Sequence, residues 1–236
     1  MEAIDLVNRA LARLGVEKIN NLSDPSLAAK RGLQLYQSTV DTVLRQHPWA
    51  CAVREVALEA YVVPDWETLT EYSVLDKVIS NGIIYQCVTA GTSGATAPSG
   101  FADAVQDGTV YWDSFDYVSE EMDTFTSRFH YPQNTVKILS VGSSPYRVYG
   151  PIVYTNETEP KATVIRQIKN PDLLDALLQD AVVALLAKNM APSFGKDKEV
   201  ENYFAEYLLA LQIAKGESSD ERTETPAAET YWTERI

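Results

Sequence analysis

The sequence predicts an α+β fold, an antiparallel helix bundle with a small β-sheet, and three observations carry that prediction. Apolar residues recur at helical spacing near both ends of the chain. The middle is poor in helix formers and rich in Gly, Thr, Ser, Asp and aromatics, cut into short strand-like runs. The composition, 45% apolar and 22% charged over 236 residues, is that of a globular protein despite a formal charge of −13.

The elements follow in order. Ile4, Val7, Leu11 and Leu14 form one helical stripe with Arg9 and Arg13 off it, and Gly15 supplies a stop. Ser23-Asp24-Pro25, a capping residue ahead of a proline, predicts the start of a second helix. Its stripe is Leu33, Tyr36, Val40, Val43 and Leu44, and it ends by His47 because Pro48 restricts the residue before it. Residues 51–63 read as a strand. Between Pro64 and Val118, two strand-like runs flank Asn81-Gly82, a strong hairpin signal, and a last strand runs around DGTVYWD. Five more strand-like runs (TFTSRFHY, TVKILSV, YRVYG, PIVYT, ATVIRQIK) precede a third helix opening at Asn170-Pro171, with Leu174, Leu177, Leu178, Ala181, Leu185 and Leu186 on its apolar face. MAPSFG breaks it. A fourth helix carries Val200, Tyr203, Phe204, Tyr207, Leu208, Leu211 and Ala214, and from Gly216 the chain turns polar until Tyr231 and Trp232.

This reading divides the chain into a discontinuous helical/β core (1–63 and 119–215), an inserted β module (64–118) and an extended C-terminal arm (216–236). The charge divides the same way. Residues 1–63 hold 7 acids and 7 bases, and 119–215 hold 12 and 10. The insert holds 8 acids against Lys77 alone, and the arm 6 against 2. The acidity therefore belongs to the insert and the arm. Such a balance excludes a protein that grips duplex DNA through clustered cations, and one that adheres to an anionic membrane.

Signals for chemistry are weak. His47 precedes Cys51 by four residues, but Pro48 breaks the helix that would align them as a nucleophile pair. Cys51 and Cys87 are isolated and read as small buried hydrophobes of a reduced compartment. Glu120, Glu121 and Asp123 cluster, yet adjacency says nothing of the spacing that two catalytic carboxylates of a polysaccharide depolymerase need. GTSG at 91–94 lacks the lysine of a phosphate loop. No catalytic, cofactor or metal site is expected. The N-terminus has no secretory signal pattern and no apolar run is long enough to span a bilayer, so synthesis and initial residence in a cytoplasm are expected.

Three stretches carry a resemblance: NRALARLG with the helix that ends VLRQHPWACAVREVAL; FHYPQNTVKILSV with the strands after it; and LLDALLQDAVVALLAKNM with a second helix and a polar tail closing on YWTER. Together, over residues 1–63 and 119–236, they resemble the tail tubular protein A family, head-to-tail adaptors of short-tailed bacteriophages. The resemblance implies a non-enzymatic virion protein of the tail and neck, assembled in the host cytoplasm. Copies, commonly twelve, would form a ring between the portal and the tail nozzle, with genome DNA passing through the lumen without specific binding. The bundle's β segments would face the tail, and Tyr231 and Trp232 would dock on the portal, a role that suits aromatics ending a polar arm.

The insert departs from that family. Trp66, Tyr72, Val78, Gly82, Tyr85 and Cys87, the AGTSGATAPS loop and DGTVYWD with Trp112 resemble small carbohydrate-binding modules, although the glycine usual before the Asp is Leu75 here. The resemblance implies rings of Trp66, Tyr72, Tyr85 and Trp112 that stack on a surface glycan, which would make the chain a glycan-binding module on an adaptor-like scaffold. The same four aromatics could instead be the core of a small module that decorates the outside of the ring.

Overall fold

The computed structural model describes residues 2–117 and 125–220. Among them lie four α-helices and twelve strands in four small sheets, a mixed α+β architecture. The chain divides into two compact units: Met1–Glu55, Asn134–Leu139 and Thr163–Ile236 form one, Val56–Gln133 and Ser140–Ala162 the other. The second unit thus holds the 64–118 stretch together with residues 56–63, 125–133 and 140–162.

The first unit contains all four helices. In α1 (Ala3–Arg13) a reciprocal capping box of Glu2 and Asp5 ties the first turn, and Gly15 at φ +66° closes the end in the left-handed region. α2 (Leu27–Arg45) begins later than the sequence suggests. Asn21 Oδ1 accepts the Ser23 N–H at 2.8 Å and keeps Ser23–Pro25 in a turn, and Ser26 is the cap, accepting the Ala29 N–H at 3.2 Å. Its buried stripe is Ala29, Gly32, Tyr36, Val40, Val43 and Leu44; Leu33, assigned to the stripe from sequence, is 62% exposed.

Asn170-Pro171 opens only a short 3-10 turn, Pro171–Leu173. The third helix, α3 (Ala176–Met190), is capped instead by Asp175, whose carboxylate accepts the Leu178 N–H at 2.8 Å. α3 is buried almost all round, from Leu178 through Ala181–Ala187 to Met190, because α1, α2 and α4 all pack on it. α4 (Val200–Asp220) runs through Gly216, so the first residues of the expected arm are helical. The cause is Ser218, which continues the buried stripe of Tyr203, Tyr207, Leu211 and Ala214 and accepts the Ala50 N–H at 3.3 Å. The exposed interhelical ion pairs Arg9–Asp180 and Arg13–Glu206 add at most about 1 kcal/mol each.

The second unit is built from antiparallel strands. Its larger sheet has the order β3-β4-β7-β6, with β3 Lys77–Ser80, β4 Ile83–Thr89, β6 Val105–Asp107 and β7 Val110–Tyr117. Asn81 (φ +50°) and Gly82 (φ +76°) make the β3–β4 turn, as their order in the sequence predicts. DGTVYWD yields two strands rather than one, because Gly108 at φ +64° turns β6 back into β7. The pair β2 (Glu71–Tyr72) and β5 (Gly91–Thr92) lies in the same unit, as does a sheet of order β10-β11-β8. In the latter, β11 (Ile152–Thr155) is buried throughout between β10 (Tyr146–Tyr149) and β8 (Ser127–His130). The remaining sheet has the order β1-β12-β9, with β1 Val53–Ala57, β12 Lys161–Arg166 and β9 Thr135–Val141.

Each unit has its own apolar core. In the first it joins α1 to α4 with Trp49, whose indole N–H donates to the Val43 carbonyl at 3.1 Å. In the second it comprises a cluster around Tyr85 and Trp112 and another around Ile84, Ile152 and Tyr154. No helix among the described residues is long and apolar enough to cross a membrane.

Candidate functional site

Two of the four aromatics singled out for glycan stacking, Trp66 and Trp112, converge on one buried carboxylate. Asp107 ends β6, is 4% exposed, and accepts three hydrogen bonds. Trp66 Nε1 donates to Oδ2 at 2.7 Å, Trp112 Nε1 donates to Oδ2 at 3.1 Å, and the Gly94 N–H donates to Oδ1 at 2.6 Å. Charge-assisted bonds of this kind are about twice as strong as neutral ones. They fix the loop after β5, the strand β7 and the chain entering the module around a single group. A Cβ at residue 94 would sit 3.0 Å from Oδ1, which explains the glycine in the loop.

Trp112 and Tyr85 are fully buried, so neither offers a face to a sugar and the stacking expectation is corrected for both. The Tyr85 hydroxyl donates to the Gly100 carbonyl at 2.7 Å, and burial pushes its pKa up. Tyr72 meets Trp112 edge to face at 4.9 Å and is half-buried, as is Trp66.

A groove of about 510 Å³ opens beside Tyr72, walled by Tyr61, Glu71, Asp76, Lys77 and His130. Tyr61 and His130 pack edge to face at 4.8 Å, and the Asp76 carboxylate accepts the Ser73 N–H at 2.7 Å. Sequence reasoning missed Tyr61 and His130 because nothing local links residues 69 positions apart. A smaller cavity, about 250 Å³, lies between α1, α3 and α4 in the other unit, lined by Leu177, Leu209 and Ile213 with Arg13, Asp180 and Glu206 at its rim.

His47 packs edge to face on Trp49 at 4.9 Å. Burial, reinforced by the charge of Asp175, raises the Cys51 pKa and holds it as a thiol. Burial likewise raises Cys87, with Asp76 acting in the same direction. A thiol held protonated is a poor nucleophile. Among the described residues, no group of three or more His, Cys, Asp or Glu is placed to hold a metal ion. Glu120, Glu121, Asp123, Tyr231 and Trp232 lie outside the described residues. Compared with known proteins, the chain matches no family model, and no curated protein is similar to it in sequence.

Proposed function

We propose that the chain is a structural virion protein, a head-to-tail adaptor. Its copies form a ring, twelve in the family it resembles, between portal and tail nozzle, and line a channel through which DNA passes without specific binding. In this reading the helices are an antiparallel bundle, the β segments face the tail, and the acidic insert projects outward. Tyr231 and Trp232 dock on the portal.

The observation that carries the reading is the surface of the helical unit. Leu27 and Leu33 on α2, and Phe204 and Leu208 on α4, are 41–62% exposed on segments whose charge is nearly balanced. Large apolar side chains left exposed on these helices suit surfaces that are buried in an assembly. An acidic or neutral wall also releases no counterions to DNA and so does not hold it. The decisive experiment mixes the purified chain with a purified portal and follows sedimentation and negative-stain images. A closed ring seated on the portal is expected; a chain that never enters a portal-bound ring overturns the proposal.

A further inference from the structure

Two exposed helix faces of the first unit differ in shape and in charge. On α4, Phe204, Leu208 and Gln212 form one i, i+4 row, and Ala205, Leu209 and Ile213 form the row beside it. The four large apolar side chains of these rows are 41–63% exposed. Glu201 and Glu217 end the second row, Glu206 borders it, and all three are exposed. The nearby base on α4, Lys215, is half-buried. On α2, Leu27, Lys30 and Leu33 form an exposed i, i+3, i+6 ridge, with Arg31 beside it. Residues 27–40 hold these two bases and no acid, and the start of the helix adds partial positive charge.

We propose that the α2 ridge of one copy lies in the α4 groove, between the two rows, of the next copy. An i±3 ridge seated in an i±4 groove is a preferred way for two helices to pack, with axes about 20° apart. It sets Leu27 and Leu33 against the exposed apolar rows of α4 and brings Lys30 and Arg31 to their acidic margins. The two faces do not meet within one copy, since both are exposed while α2 and α4 each pack on α3 by their buried stripes.

Charge complementarity decides for this occupant over a second α4. Two α4 faces brought together would oppose Glu201, Glu206 and Glu217 to the same three acids, and like charges across an interface discriminate against a partner. The basic ridge of α2 has the opposite sign. A contact between two different surfaces is head-to-tail, so each copy both gives a ridge and receives one. Repeated, such contacts close into a ring or run on as a filament. The inference deepens the adaptor reading and rests on it for closure into a ring, whereas the contact itself needs no portal.

Sedimentation velocity of the full-length chain from about 10 µM to about 1 mM tests it. One helix pair is a small interface, so the native chain should be monomeric at the low end and oligomeric at the high end. Leu33→Asp and Leu209→Asp, both at exposed positions, should each weaken association at least about ten-fold with helical circular dichroism unchanged. Mixed together, they should form a one-to-one dimer and nothing larger, since one keeps its α4 face and the other its α2 face. Charge reversal supplies a second pair. Lys30→Glu/Arg31→Glu and Glu201→Lys/Glu206→Lys should each stay monomeric alone, and their mixture should regain native association. A native chain that stays monomeric throughout overturns the proposal, as do mixtures no larger than their components. Leu33→Asp that still dimerises alone overturns it in favour of α4 against α4. Variants that still form portal-seated rings would sink the contact and leave the adaptor reading standing. Complementation without any portal-seated ring would do the reverse.

Discussion

Leu75 is held in a backbone conformation that glycine adopts more readily than any other residue. Its φ is +78°, in the left-handed region that costs a side chain about 1–2 kcal/mol, and its own side chain is 69% exposed and repays little of that. A glycine costs about 0.5–1 kcal/mol more in the unfolded chain. Leu75→Gly should therefore stabilise the protein by about 0.5–1 kcal/mol, read as a higher urea midpoint at unchanged slope. Tyr36 is a second strained residue. It is 6% exposed, its hydroxyl has no hydrogen-bond partner among the described residues, and burial pushes its pKa up to about 12. An unmet hydroxyl costs about 1–3 kcal/mol, so Tyr36→Phe should stabilise by about 1 kcal/mol at neutral pH. The fold favours the neutral phenol. Its contribution is complete below pH 10, where the unfolded residue ionises, and is lost as pH rises through 12. Over that window the native chain should lose about 2–3 kcal/mol that Tyr36→Phe retains, measured by denaturant titration at pH 9 and pH 12. Neither strain is visible in a sequence, because periodicity reports which face a residue is on and not its φ or its hydrogen bonds.

At the scale of elements, legibility followed locality. The Asn81-Gly82 hairpin and the Gly15 stop lie within a few residues of what they control, and both are where the sequence placed them. Helix starts slipped because two capping signals competed at each: Ser23 against Ser26, Asn170 against Asp175. Only the carboxylate or hydroxyl that reaches an unpaired helical N–H decides between them. The groove beside Tyr72 and the cavity beside Leu209 were illegible, since each assembles residues distant in the chain. The α1–α2 crossing was missed for the same reason. A Cβ on Gly32 would lie 2.6 Å from Val7 Cγ1, and Val7 is fully buried with a branched, stiff side chain that cannot swing aside. Alanine gains up to about 1 kcal/mol of helix propensity, but overpacking costs about 1–3 kcal/mol. Gly32→Ala should therefore destabilise by about 0.5–2 kcal/mol. The Val7→Ala/Gly32→Ala pair should cost clearly less than the sum of the two single changes, in a double-mutant cycle read by chemical denaturation.

For the whole molecule, the segregation of charge has a counterpart in the cores. The nearly neutral segments 1–63 and 119–215 supply every residue of the helical core around α3, while the acidic stretch supplies the cluster around Tyr85 and Trp112. A module carrying eight acids and one base must then bury Asp107 at its centre and satisfy it completely. Asp107→Asn tests this, because the change keeps shape and removes charge. An amide presents one oxygen and one NH2, whereas all three partners of Asp107 are donors split over both oxygens. Whichever way the amide turns, at least one N–H faces another donor, and charge assistance is lost for the rest. The expected loss is about 2–4 kcal/mol, confined to the unit that holds Trp66 and Trp112. Near-ultraviolet circular dichroism, sensitive to those two indoles, should report a transition at markedly lower denaturant. Ellipticity at 222 nm reports α1 to α4, which all lie in the other unit, and its midpoint should stay within about 0.5 kcal/mol of the native value. Equal displacement of the two signals would mean that the separate cores melt as one, and that the acidic stretch is not an independent unit of stability.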